Sequence, residues 1–305
     1  MPAPERIPAR RVSDRDLTLL TQGELHVQGQ IRDASNAVLL CTVTYEDRSA
    51  ACVYKPVRGE RPLWDFPDGT LAQREVAAYE VSEALGWELV PPTVLRDGPY
   101  GEGMCQLWID GPDGPDGPDG QEGPGGPDGS GGPEAPEEAP EQAGADKLLA
   151  LVDAEEPAEG WKAIGFAEVE EGRTALLVHA DDPRLRRLAV LDAVINNGDR
   201  KGGHLLVDAG GHLYGIDHGV TFNVEDKLRT LLWGWAGEPL TEEATAALEG
   251  LRERLGTGEP LAARLGELIT EAELEAVRER VAALLKGGRH REPSGEWPAI
   301  PWPPI

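Results

Sequence analysis

Two acids in this chain stand at positions where a phosphoryl group could be transferred. The first lies in Asn196-Asn197-Gly198-Asp199-Arg200-Lys201-Gly202-Gly203-His204, and the second follows 18 residues later in Gly215-Ile216-Asp217-His218-Gly219. Asp199 sits in a glycine-broken loop directly after a helical pattern. Asp217 ends a short apolar strand, residues 213–216, beyond a Gly210-Gly211 turn. In such chemistry one carboxylate orients the attacking hydroxyl and takes its proton, while a second holds Mg²⁺ against the phosphates of ATP. His204 stands five residues after Asp199, where catalytic loops of this kind carry a metal-binding Asn. A neutral imidazole can ligate a metal, but Mg²⁺ prefers oxygen, so His204 shifts the expectation toward Mn²⁺.

The elements that must position these acids follow from pattern. Ser13-Asp14-Arg15-Asp16 predicts a capping box and a short helix stopping at Gly23. Strands are expected over Glu24–Gln30, 37–45 and 50–57, separated by turn residues, and the third carries Lys55. Thr70-Leu71-Ala72-Gln73 predicts a second helix reaching Gly86, with Leu71, Glu75, Ala78, Tyr79, Ser82 and Leu85 on one stripe. Glu75 is then an acid on an apolar face and Lys55 a cation at the end of an apolar strand. Burying either alone costs several kcal/mol, so the two are expected to pair. Strands over 93–96 and 104–109 follow. Asp182-Pro183 opens a helix through Leu185, Leu188, Leu191 and Ile195 that delivers the Asp199 loop at its C-terminal end. Helices near 225–232, 242–255, 261–268 and 271–285 complete the pattern.

The expected class is α+β, two-lobed and protein-kinase-like: an antiparallel-sheet lobe with one helix over 13–109, and a mainly helical lobe over 147–290. Between them, residues 110–146 hold eleven acids and no Lys or Arg, with repeated Gly-Pro-Asp, a composition expected to be disordered. A Trp/Pro tail over 291–305 is expected to dock loosely or stay disordered.

Composition narrows the function. A net charge of −26 over 305 residues argues against nucleic acid and against adsorption on anionic lipid. No N-terminal signal pattern and no run of about 18 apolar residues is present, so a cytoplasmic protein without integral membrane association is expected. Cys41, Cys52 and Cys105 stand singly in apolar segments and read as reduced core cysteines. A monomer is expected.

Several segments, in order, resemble the phosphatidylinositol 3- and 4-kinase superfamily, nearest the type II phosphatidylinositol 4-kinases and their small actinobacterial relatives. Gly103-Met104-Cys105-Gln106-Leu107-Trp108-Ile109-Asp110-Gly111 is similar to that family's hinge, and Leu89-Val90-Pro91-Pro92-Thr93 to the approach to it. Asp199-Arg200 resembles the catalytic pair, Ile216-Asp217-His218-Gly219 with Phe222 the metal-binding segment, and Leu231-Leu232-Trp233-Gly234-Trp235 the aromatic run after it. The resemblance implies adenine contacts near Gln106, Leu107, Trp108 and Ile109, Lys55 on the ATP phosphates with Glu75 positioning it, Asp217 and His204 at the metal, and Asp199 with Arg200 at the reacting hydroxyl. Ser35 and Asn36 lie in a turn without the glycines of a phosphate-covering loop. They read either as phosphate contacts or as an ordinary hairpin turn. Lys201 reads either as neutralising the transferred phosphate or as solvated.

The expected activity is ATP-dependent transfer of the γ-phosphate to a hydroxyl of a metabolite, an inositol derivative or a protein. A nucleotide-binding regulator without turnover and a nucleotidyl transferase on the same scaffold are the alternatives.

Overall fold

The computed structural model describes residues 14–31, 37–66, 71–111, 148–170 and 173–304. Ser35, Asn36, Thr70 and nearly all of the acidic insertion lie outside the described residues. Helix α1 (Asp14–Gln22) leads into β1 (Glu24–Gln30), β2 (Leu39–Tyr45) and β3 (Arg48–Pro56), then α2 (Leu71–Leu85), β4 (Thr93–Gly98) and β5 (Gly101–Leu107). The strands form one antiparallel sheet in the order β1-β2-β3-β5-β4.

Strand β3 is central and alternates. Ala50, Cys52 and Tyr54 are buried, with Leu19 and Leu20 of α1 and with Cys41 and Cys105, in a small core on one face. Lys55, opposite Met104 of β5, is turned by the pleat to the other face. All three cysteines are buried and unpaired, as their apolar settings imply. Gly103 is required where β5 passes β3, since a Cβ there would lie 2.5 Å from the Lys55 carbonyl oxygen.

Helix α2 is buried nearly all round, not along one stripe. It is sandwiched between β4 and β5 on one side and α4 (Glu242–Arg254) and α5 (Pro260–Leu268) on the other. Its first two free N–H groups, on Leu71 and Ala72, donate to the Glu60 carboxylate at 2.9 and 2.8 Å, which satisfies orphan donors and places a negative charge at the positive end. Arg74 on α2, 1% exposed, donates to the Thr221 carbonyl at 2.6 Å and to Glu273 at 2.5 Å. Glu273 belongs to α6 (Glu271–Gly287) and also closes the Thr270 capping box of that helix.

The second lobe departs from the sequence expectation in two places. It contains an antiparallel sheet of β6 (Leu149–Val152), β7 (Trp161–Glu170) and β8 (Arg173–Ala180), in the order β6-β8-β7, that pattern reading did not anticipate. The expected helix over 225–232 is absent. Leu228, Leu231 and Leu232 have helical spacing, but the segment commits its backbone groups to the Asp199 loop: Arg229 N–H donates to the Asn197 carbonyl and Arg200 N–H to the Arg229 carbonyl. Helix α3 (Pro183–Ile195) forms as expected, capped by Asp182, whose side chain accepts from Arg184 N–H. β9 (Leu205–Val207) and β10 (Leu213–Gly215) make the expected hairpin. The main core runs from α2 through α3 to α6, so the class is α+β, an antiparallel-sheet lobe joined to a larger and mainly helical one.

Buried charge sets the stability of this lobe junction. Glu273→Ala leaves Arg74 buried without its carboxylate and should cost about 3–5 kcal/mol in denaturant unfolding, whereas Glu271→Ala, at the exposed start of the same helix, should cost under about 1 kcal/mol. Glu83 on α2 has a buried oxygen with no hydrogen-bond partner among the described residues. Burial, with Glu88 and Glu80 nearby, pushes its pKa up to about 7. A carboxyl raised by folding stabilises below its unfolded pKa and loses that contribution as pH rises through the folded one. Glu83→Gln should therefore leave Tm nearly unchanged at pH 4.5 and raise stability at pH 8, by about 1 kcal/mol after discounting for partial exposure.

Candidate active site

Lys55 meets Glu75, the acid expected to pair with it, and also Asp217. Its Nζ lies 2.6 Å from Glu75 Oε1 and 3.1 Å from Asp217 Oδ1. Glu75 is buried at the end of this chain of contacts, and its second oxygen accepts the His218 N–H at 2.8 Å. One carboxylate thus joins β3, α2 and the segment after β10. Burial opposes the Lys55 charge, yet Glu75 and Asp217 outweigh it and hold its pKa above the ordinary lysine value. Burial pushes the Glu75 carboxyl upward against the pull of Lys55. Lys55 beside it holds Asp217 well below the usual carboxylate range.

Asp217 has a left-handed backbone, φ 59°, strained for a residue with a Cβ, and about half of its side chain faces open space. Its other oxygen lies 3.4 Å from His204 Nε2. Burial lowers the His204 pKa, so the ring is neutral at pH 7. His204 Nδ1 accepts the Lys201 N–H at 3.5 Å, which leaves the proton on Nε2, facing Asp217. A metal bound through Nε2 would require the other tautomer. Among the described residues no group of three or more His, Cys, Asp and Glu could hold a metal ion. Asp217 and His204 are two groups that could hold a divalent ion arriving with phosphate oxygens, the usual manner of Mg²⁺.

Asp199 is held between two cations, Lys201 Nζ at 3.0 Å and Arg229 Nη2 at 3.3 Å. Its N–H donates to Asn197 Oδ1, and Arg229 Nε donates to the Gly198 carbonyl at 2.7 Å. The loop is therefore fixed at both flanks. Arg200 turns away from the cleft. Fully buried, it donates to both oxygens of Asp192 on α3, to the Ile216 carbonyl at 3.0 Å, and lies 2.7 Å from His218 Nε2. Burial, then Arg200, keeps His218 neutral, its pKa well below the ordinary value. Asp192 also accepts from Asn197 and Thr230. Arg200 thus ties the Asp199 loop to the Asp217 strand from behind, and its guanidinium does not reach a substrate.

Sequence reasoning missed Asp192 and Arg229. Asp192 carried a signal, an acid inside the apolar run Leu188 to Ile195, of the same kind that singled out Glu75. Arg229 carried none, because the helix expected there would have pointed it elsewhere.

Part of the hinge is already engaged within the sheet. The Leu107 and Trp108 N–H groups donate to the Pro92 and Ala51 carbonyls, and Gln106 is buried with its amide on Thr93 Oγ1 at 2.9 Å. The Trp108 ring is exposed.

No helix among the described residues is long and apolar enough to cross a membrane. No family model matches the chain. Among solved structures it is similar to the Golgi casein kinase with Mn/ADP bound, at 14% identity and TM-score 0.47, over 96% of this chain and 80% of that one. It is also similar to the Helicobacter pylori proinflammatory kinase CtkA, at 11% identity and TM-score 0.41, over 88% of this chain and 94% of that one. The likeness to hydra Fam20 with sugar has 14% identity and TM-score 0.44, over 90% of this chain and 88% of that one. The sequence relationship is far closer: at 48% identity over 295 residues, 97% of each chain, this protein belongs to the family of Protein Rv2133c of Mycobacterium tuberculosis (strain ATCC 25618 / H37Rv).

Proposed function

We propose that the protein is an ATP-dependent phosphotransferase of the phosphatidylinositol 3-/4-kinase-like type, passing the γ-phosphate to a hydroxyl. One observation carries this reading. A single lysine bridges a buried helix glutamate and a cleft aspartate, which is the arrangement needed to place a cation on ATP phosphates beside a metal-holding carboxylate. Lys55 would hold the phosphates while Glu75 fixes its direction. Asp217, with His204, would hold the divalent ion, which when bound neutralises phosphate charge as it develops.

Asp199 is the base. The substrate hydroxyl gives its proton to the carboxylate, its oxygen forms the new bond to the γ-phosphorus, and the bond to the bridging oxygen breaks to release ADP. Lys201 and Arg229 hold the Asp199 carboxylate between them, and Lys201 would follow the transferred phosphoryl group. Arg200 contributes by holding the loop. The substrate class is a hydroxyl-bearing metabolite, an inositol derivative or a protein. The strongly acidic chain favours a substrate that need not be drawn from an anionic membrane surface.

A second reading has its own support. Both Asp199 oxygens are already engaged by cations, as suits a nucleotide-binding regulator with no turnover. ATP labelled at the γ- or α-phosphate, incubated with a metabolite extract and followed by mass spectrometry, separates phosphoryl transfer, nucleotidyl transfer and binding alone.

Asp217→Asn should weaken Mg²⁺–ATP binding as well as turnover, because the carboxylate offsets the ion in ground and transition states alike. Asp199→Asn should leave nucleotide affinity nearly intact and lower kcat by about 10²–10⁴-fold, the scale of a positioned general base. His204→Asn should keep binding and move metal preference toward Mg²⁺. Calorimetry with Mg²⁺ and Mn²⁺ nucleotides on the three variants decides. Equal affinity for wild type and Asp217→Asn would remove the metal assignment and most of the phosphotransferase reading.

A further inference from the structure

The tail is not loosely docked. Its Ala299 carbonyl accepts the Thr230 N–H at 3.0 Å and the Trp233 indole N–H at 2.8 Å, and its Pro304 carbonyl accepts the Gly202 N–H at 2.9 Å. Pro301 and Pro304 are buried, and Ile300 reaches Gly165 of β7 and the main core. Trp297 lies on one face of Lys227, whose Nζ is 4.8 Å from that ring and 4.8 Å from the Trp64 ring of the first lobe. The same Nζ pairs with Asp65 at 2.9 Å.

These contacts converge on the weakest part of the catalytic loop. Gly202 and Gly203 separate Lys201, which holds Asp199, from His204, which meets Asp217, and two adjacent glycines have the widest backbone freedom of any pair. Arg200 reaches past this turn only at its limit, Nη1 lying 3.5 Å from the His204 carbonyl, and the turn itself is closed by the His204 N–H on the Lys201 carbonyl at 3.2 Å. The partner of the Gly202 N–H is a tail carbonyl. A proline-rich segment suits this role because it offers carbonyls without competing donors, and its fixed φ leaves less freedom to lose on docking.

We propose that residues 297–304 are a positioning strap of the active site, setting the Gly202-Gly203 turn so that Lys201 and His204 stand correctly toward Asp199 and Asp217. The strap acts through the loop and does not touch the reacting atoms. The inference rests on the phosphotransferase reading for its effect on turnover but not for its effect on the loop, and the two effects are measured separately.

In the full chain, Ile300→Glu puts a charge where Ile300 meets the core and should expel the tail, while Ile300→Val should leave it docked. Hydrogen exchange at the Gly202 and Thr230 amides, calorimetry with Mg²⁺–ATP, and turnover of γ-labelled ATP are read on each. With the tail expelled, protection of both amides should fall at least about tenfold, an opening that costs one decade per 1.4 kcal/mol, and kcat should fall about 10- to 100-fold, the scale of a small misplacement of catalytic groups. Nucleotide affinity should fall by a smaller factor than kcat, since Lys55, Glu75 and Asp217 keep their places and His204 alone of the groups assigned to nucleotide and ion is shifted. Ile300→Val should match wild type in all three. Should Ile300→Glu fail to fold, a protease site replacing the exposed residues 292–296 allows the tail to be cut from the folded chain and a synthetic 297–304 peptide to be added back, with recovery of amide protection and turnover expected. Retained protection at Gly202 without the tail, or turnover that is unchanged or rises, overturns the proposal; a rise would identify the tail as an inhibitory strap. If the wild-type chain shows no turnover, the phosphotransferase reading fails, and the amide exchange still decides whether the tail sets the loop.

Discussion

The Glu75 carboxylate is the group on which the rest of the arrangement depends. It takes Lys55 from the sheet on one oxygen and the His218 N–H from the second lobe on the other. Buried as it is, it is tolerable only with both partners, because an isolated ion in such a place costs several kcal/mol. The positions of β3, α2 and the Asp217 segment are therefore coupled: a shift of any one strands a charge. Helix α2 is further locked to the second lobe by Arg74 and Glu273. The lobes are thus joined along α2, and any widening of the cleft must occur on the side where Asp217 is open.

A second buried ion pair repeats this logic behind the cleft. Asp192 and Arg200, both with no exposed side-chain surface, connect α3 to the loop it delivers, and Arg200 also donates to the Ile216 carbonyl next to Asp217. Gly215 leaves room for this approach, since a Cβ there would sit 3.0 Å from the Arg200 guanidinium and 3.1 Å from Leu188 Cδ1. Two acids 18 residues apart in sequence are held in fixed relation by one arginine whose charge never meets solvent. Such pairs are poor sources of net stability but strict on geometry, since each satisfied partner is expensive to remove.

What could be read from sequence was what physical chemistry made untenable in any other arrangement. Glu75 on an apolar stripe and Lys55 at the end of an apolar strand each demanded a partner, and Asp182-Pro183 and Thr270 to Glu273 carried helix-start chemistry that needs no tertiary context. Asp192 emitted the same signal as Glu75 and was passed over. The segment around Leu228 to Leu232 has helical spacing, but its backbone is committed to the Asp199 loop, a tertiary demand that periodicity does not register. The β6 to β8 sheet begins beside the acidic insertion, where composition rather than alternation dominates the reading. The tail's Trp and Pro content suggested looseness because its role lies in carbonyl groups, which every residue has and no sequence pattern marks.

The carboxylates of the cleft are each paired with a cation. Asp217 is neutralised by Lys55 and Asp199 by Lys201 and Arg229, so neither carboxylate waits as a bare charge. The pairs differ in how easily they yield. Lys55 with Glu75 is enclosed, and breaking it would leave a buried ion, a penalty of about 3–5 kcal/mol. Lys55 with Asp217 has one partner half in the open, so separating them leaves the Asp217 carboxylate where water can reach it. On the proposed function, an anion competing for Lys55 would displace Asp217 before Glu75, and the same exchange would free the Asp217 carboxylate for the cation that accompanies the anion.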